Sequence, residues 1–447
     1  MCSGFFPIVH CIPNIVKTVL VMTNSYRGFN RPLPNIIVTK YSELAEGGNF
    51  VTKKTFSRYF TFLALLVSMA VLVTGCGGSQ STQADNKGPI KIGFFAPVTG
   101  PAAADGESVL NSAKLAVENI NNSGGINGRK VELVNYDDAL DSKQAVSIAQ
   151  KLTTKDGVVA VVSGSYSGTT RASAKIYQDA KIPMISAFAL HPDITKTGNY
   201  MFRQSFVGPV QGRAGAKVAV DMLKAKRISI LMVDIDFGKT LAAGFKEKAE
   251  QLGAQIISTD SFSTGEKEFT PVLTKIKQLN PDLIYIPGYA PECSQIVRQA
   301  KELGIAAKIL GTEGADSTVQ FLGVAKDAAD GVIITTNMNR DSDRKIVQDF
   351  INGYNQKYGH KPDMVGASTY DAFMVLASVM KAKGAEPDKI REGLSEIKDF
   401  EAVTGLIKGY NKIGEVKKAV QVQIVKNGDF HYFGEINDED IITPPSE

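Results

Sequence analysis

Between residues 90 and 311, short β-rich runs alternate with helical stretches, and they do so in two rounds. The first round reads IKIGFFAP, a helix from Glu107 to Asn121, VELVNYDD, a helix from Ser142 to Thr154, VVAVVSG, a helix from Thr169 to Ala180, then IPMISAF. After FRQSFVGPVQG the second begins with a helix from Gln211 to Leu223, then RISILMVD, Lys239 to Leu252, AQIISTDSF, Phe269 to Leu279, DLIYIPG, Glu292 to Leu303 and AKILGTE. Strands separated by helix-length segments pair in parallel, with helices covering both sheet faces. The pattern predicts an α/β fold built from two successive units. The later elements, DGVIITTN, helices near Asp343 to Tyr358 and Val365 to Lys381, and AVQVQIVKNGDFHYF, do not fit a third domain. They are expected to return and complete the first two.

Ahead of this pattern stands a different grammar. Lys53, Lys54 and Arg58 precede YFTFLALLVSMAVLV, and the small residues of VTG come directly before Cys76. A charged start, an apolar run and small residues at its end are the signature of a secretory signal. Tyr59 to Val73 falls just short of the roughly 17 to 25 apolar residues of a bilayer-spanning helix. VTGC resembles the lipobox of bacterial lipoproteins, which implies cleavage before Cys76 and a diacylglycerol on its thiol. Cys76 with the following GGSQSTQADNKG then reads as a flexible tether over residues 76–88. Residues 1–50 fit no secretory logic, and initiation at Val51 is expected, with 51–75 as the signal peptide.

The leader distorts the composition. It holds 7 of the 50 Lys and Arg and 2 of the 46 Asp and Glu, so the chain from Cys76 carries 43 basic and 44 acidic residues, a net charge of −1. The concentrated basic face that nucleic acid requires is not indicated. The 372 residues from Cys76 exceed what one core usually supports, so two lobes are expected. Of four cysteines, Cys2 and Cys11 lie in the leader, Cys76 is assigned to lipid, and Cys293 remains alone, read as a small buried hydrophobe. A near-neutral, patch-poor chain predicts a monomer.

Enzyme motifs fail on close reading. GSYSG carries Tyr166 where a nucleophile elbow requires serine, GGINGRK lacks the ending of a phosphate loop, and His10, His191, His360 and His431 are scattered singly. Neither catalysis nor a metal or other cofactor is expected. Ligand chemistry fits better, because open α/β sheets bind small molecules beyond the carboxyl ends of their strands. Polar segments stand there: SGSYSGTT, AFALHP, DIDFG, GYAPE and TEGADS.

Together TGP near the first strand, SGGINGRKVELVNYDDALDSKQAV, IYQDAKIPMISAFALHPDIT, FRQSF, GYAPECSQIVRQAKELG and ILGTEG resemble the type I periplasmic binding proteins of branched-chain amino-acid ABC importers. The resemblance runs from about Ile90 to Phe433. It implies two Rossmann-like lobes joined by three crossovers and closing on a small solute. The implied boundaries are 89–207 with 338–418 for lobe 1, and 208–337 with 419–447 for lobe 2. It places a carboxylate-binding hydroxyl on Ser167, backbone N–H donors at Phe188 and Leu190, an acidic partner for the ligand ammonium on Glu313, and aromatic walls on Phe237 and Tyr289. Without it, Glu313 would read as a solvated loop acid and the two aromatics as core.

Departures stand beside the matches. Leu190 replaces a second hydroxyl, Asp105 replaces an aromatic wall, and Leu140 and Tyr166 occupy the positions of a cysteine pair, so that disulfide is absent. The expected role is a lipid-anchored, extracytoplasmic receptor for a branched-chain or other apolar amino acid, serving an ABC permease. An amide or other polar ligand, or presentation to a membrane sensor, is the alternative reading.

Overall fold

In the computed structural model, which describes residues 88–446, the alternating pattern forms two separate sheets. The extension, the signal-like segment, Cys76 and nearly all of the tether lie outside the described residues. The first sheet has the order β2-β1-β3-β4-β5, from β1 (Ile90–Ala96), β2 (Val131–Asp137), β3 (Ala160–Ser163), β4 (Met184–Ser186) and β5 (Met201–Arg203), all parallel. Its crossover helices are α1 (Ala103–Asn122), α2 (Ser142–Thr154) and α3 (Ser167–Asp179). Asp141 caps α2, its carboxylate accepting the Gln144 N–H at 2.8 Å.

The second unit starts with α4 (Gly208–Lys217), continuing as one wider turn over Val218–Met222. Then follow β6 (Arg227–Val233), α5 (Asp236–Gln251), β7 (Gln255–Phe262), α6 (Thr270–Leu279), β8 (Leu283–Ile286), α7 (Ala290–Glu302), β9 (Lys308–Gly311) and β10 (Ile333–Thr336). The terminal elements do return. Helices α8 (Lys345–Tyr358), α9 (Met364–Lys383) and α10 (Pro387–Glu396) cover the first sheet, and α9 is buried nearly all round, with Phe373 6.0 Å from Phe94 of β1 between ring centroids. Short strands β11 (Phe400–Ala402), β12 (Gly405–Ile407), β13 (Gly409–Tyr410) and β14 (Val416–Lys417) stay on that side, and Ala402, Ile407 and Val416 share its core. Strands β15 (Val420–Lys426) and β16 (Asp429–Ile436) join the second sheet as an antiparallel edge, giving β16-β15-β10-β9-β8-β6-β7.

The chain therefore passes between the two sheets three times: after β5, after β10, and between β14 and β15. The crossings are bonded to one another. Asn337 donates to Ser205 Oγ at 2.8 Å and to Ser368 Oγ of α9 at 3.1 Å. Arg203 at the end of β5 is fully buried and holds Glu415 through Nε–Oε2 at 2.8 Å and Nη2–Oε1 at 3.1 Å. Lys418 is buried in the third crossing against Asp371 and Thr404, and burial brings its ammonium down to about 8. Among the described residues, no helix is long and apolar enough to cross a membrane.

Candidate functional site

Each loop that the sequence singled out leaves the carboxyl end of a strand. Ser167 opens α3 just after β3, Phe188 and Leu190 follow β4, Phe237 lies in the first turn of α5 after β6, Tyr289 precedes α7 after β8, and Glu313 follows β9. Asp105 lies in the first turn of α1, which starts at Ala103 rather than Glu107 as expected. The run PAAAD explains the earlier start: Pro101 precedes three alanines, the strongest helix formers, and an acid suits the first turn. All seven residues line one inner chamber of about 30 Å³, with Tyr166, Gly314, Asp316, Met364 and Val365. Outside it lies a wider cavity of about 550 Å³ that shares Asp105, Tyr166, Ser167, Phe237 and Tyr289 and reaches Ser142, Asp236, Lys239 and Glu292.

One wall of the chamber suits an anion. Ser167 stands at the start of a helix of 13 residues, where backbone N–H groups lack intrahelical partners and the helix dipole is positive. Its Oγ accepts the Leu190 N–H at 3.2 Å, which leaves the hydroxyl proton free to donate into the chamber. The other wall is acidic. Glu313 is 6% exposed, and neither carboxylate oxygen receives a hydrogen bond from another residue. Burial, with the Asp316 charge adding to it, pushes this carboxyl up to about 8. The close approach that buries it depends on Gly314, where a Cβ would come within 2.3 Å of the Gly288 carbonyl oxygen.

The nearby acids are disposed differently. Asp316 is held by the Arg340 guanidinium and by the Thr336 hydroxyl at 2.5 Å. Asp363 caps α9, accepting the Gly366 N–H at 2.9 Å and the Ser108 hydroxyl at 2.6 Å; burial and then the Asp105 charge push it up to about 7. Asp105 is half-buried and accepts the Tyr166 hydroxyl at 2.5 Å. Burial raises its carboxyl while that hydrogen bond lowers it.

Aromatic rings fill most of the space between. Phe237 stacks on Tyr289 at 4.7 Å between centroids, Tyr289 meets Tyr166 edge-on at 5.3 Å, and Tyr166 meets Phe188 edge-on at 5.6 Å. Tyr166 was missed as a wall residue: it was noted for standing in place of a nucleophilic serine, as part of the strand-end segment SGSYSGTT, and as standing where some family members carry a cysteine. The available signal was its place just before a helix at the carboxyl end of a strand. Cys293 is buried behind this wall as a free thiol, and burial raises it far from the thiolate range. Among the described residues, no cluster of three or more His, Cys, Asp and Glu is placed to hold a metal ion.

Two sheets joined by three crossings, with an anion wall on one side and a buried acid on the other, define a protein that captures a small solute. Residues 89–429 match the family described as periplasmic binding protein, and the chain belongs to that family. It is 33% identical over 341 residues to a leucine-, isoleucine-, valine-, threonine- and alanine-binding protein of Pseudomonas aeruginosa, covering 76% of this chain and 89% of the relative. It is 31% identical over 320 residues to the Leu/Ile/Val-binding protein of Escherichia coli K12, covering 71% and 85%. Among solved structures, a branched-chain amino-acid transporter substrate-binding protein of Streptococcus pneumoniae in complex with isoleucine superposes with a TM-score of 0.73 at 29% identity, covering 78% of this chain and 99% of that one. A leucine-binding protein of Thermotoga maritima gives 0.72 at 31% identity with the same coverage.

Proposed function

We propose that this protein is an extracytoplasmic, lipid-anchored receptor that captures a zwitterionic amino acid of branched-chain size between two closing lobes and passes it unchanged to an ABC importer. The observation that carries the reading is Glu313: a buried carboxylate without a donor, across a chamber from Ser167 and the start of α3. Burial without a partner keeps this carboxyl protonated near neutral pH, and a ligand ammonium lets it ionise while the ligand carboxylate meets the hydroxyl and helix N–H groups. In this reading Phe188 offers its backbone N–H, Leu190 acts through the Ser167 hydroxyl that its own N–H holds, and Phe237 and Tyr289 enclose the side chain. The names of the relatives from Pseudomonas aeruginosa and Escherichia coli point to the same ligand class.

Lobe 1 then comprises residues 89–207 and 338–418 and lobe 2 residues 208–337 and 419–447, with closure about the three crossings. The inner chamber has space on the order of one or two water molecules, so an amino acid enters only as the lobes part. Cys76 would carry the lipid, and the protein would act as a monomer beside its permease. Mass spectrometry of small molecules released on denaturing the purified protein tests the reading. An α-amino acid at near one per chain supports it, and release of a solute lacking an ammonium group contradicts it.

A further inference from the structure

Glu313 suits one cationic group, and the chamber holds a second carboxylate for which an amino acid's backbone provides no use. Asp105 stands where the inner chamber meets the outer cavity and lines both. Among the described residues its hydrogen-bond partner is Tyr166, at 2.5 Å from Oδ2, and no cation contributes to its surroundings. Asp316 and Asp363 differ, because the first is neutralised by Arg340 and the second serves as a helix cap. A carboxylate has about four acceptor sites, and the phenol fills one.

The same phenol fixes where Asp105 points. Tyr166 is wedged edge-on between Phe188 and Tyr289, so its hydroxyl and the carboxylate it holds are set at the border of an otherwise aromatic wall. An apolar side chain packed there would strip water from Asp105 and offer nothing in return. A side chain with its own donor would fill a vacant acceptor site.

We propose that Asp105, held by Tyr166, is a specificity-determining residue that selects amino acids whose side chains donate a hydrogen bond, a hydroxyl or an amide, over apolar side chains of the same shape. The inference rests on the zwitterion reading of the chamber and narrows it.

Isosteric ligand pairs isolate the effect: threonine against valine, and asparagine against leucine, titrated by calorimetry into the wild-type protein and into Asp105→Leu and Asp105→Ala. Asp105→Ala adds no bulk, and melting temperatures establish that both variants are folded. Wild type is expected to bind threonine and asparagine roughly tenfold or more tightly than their apolar partners, since leaving a desolvated acceptor unpaired costs at least that much. Both variants are expected to lose or reverse the preference. Tighter binding of valine and leucine by wild type, or an unchanged preference in both variants, overturns the proposal alone. Failure of all four amino acids to bind wild type overturns it together with the zwitterion reading.

Discussion

Tyr166, at the end of the loop after β3, stands edge-on to Tyr289, at the end of the loop after β8, with ring centroids 5.3 Å apart and planes at 83°. The pair joins loops from the two sheets and lines the inner chamber. Aromatic pairs in this geometry contribute about 0.5–1.5 kcal/mol beyond area burial. A double-mutant cycle on ligand affinity with Tyr166→Leu and Tyr289→Leu should therefore show a coupling of that size. Strict additivity would mean that the two rings act on the ligand independently.

The buried pair Arg203–Glu415 ties the end of β5 to the residue before β14, and Glu415 also accepts the Thr195 hydroxyl. Removing one member of a buried pair leaves the other uncompensated and costs about 3–5 kcal/mol. Glu415→Ala should lower the denaturation midpoint accordingly in chemical unfolding, whereas a loss below about 1 kcal/mol, the range of exposed pairs, would contradict the burial seen here.

Glu313 makes stability depend on pH in a definite direction. Its folded pKa of about 8 lies above the unfolded carboxyl value, so its protonated form favours the folded state. Its contribution is fully present below about pH 4.3 and is lost progressively as pH rises through 8. In ligand-free protein, Glu313→Gln should melt above wild type at pH 8, and the gap should close towards pH 4. A gap independent of pH would show that the carboxyl titrates normally.

Cys76 falls outside the described residues, and its role is a matter for labelling. Cys76→Ser should abolish incorporation of labelled fatty acid and processing of the precursor. Equal labelling of both proteins would contradict the lipobox reading.

The residue pattern carried the architecture well because period and strand length are local. The run IKIGFFAP forms β1, VVAVVSG contains β3, and the late elements complete two existing layers rather than building a third. The seven candidate residues meet in one chamber because strand ends in parallel sheets converge. What stayed illegible depends on distance along the chain: Arg203 and Glu415 are 212 positions apart, and Asp316 finds Arg340 only once β10 is paired. Tyr166 was visible as a residue but not as a wall, since its partners Phe188, Tyr289 and Asp105 come from two other loops and the first turn of α1. The start of α1 was placed four residues late, which hid the helical setting of Asp105.

The most direct test of zwitterion capture is calorimetric titration of wild type and Glu313→Gln with whichever of leucine, isoleucine, valine or threonine binds wild type most tightly. Glutamine preserves the shape and removes the charge. If Glu313 pairs with the ligand ammonium, the variant should bind more weakly by roughly 2–5 kcal/mol, about 30-fold or more in Kd. Wild-type binding near pH 7 should release a proton as the carboxyl gives up its raised pKa, visible as a heat that varies with the buffer's ionisation enthalpy. Affinity of the variant within about threefold of wild type, with no proton released by either protein, would remove Glu313 from the amine site and contradict the reading.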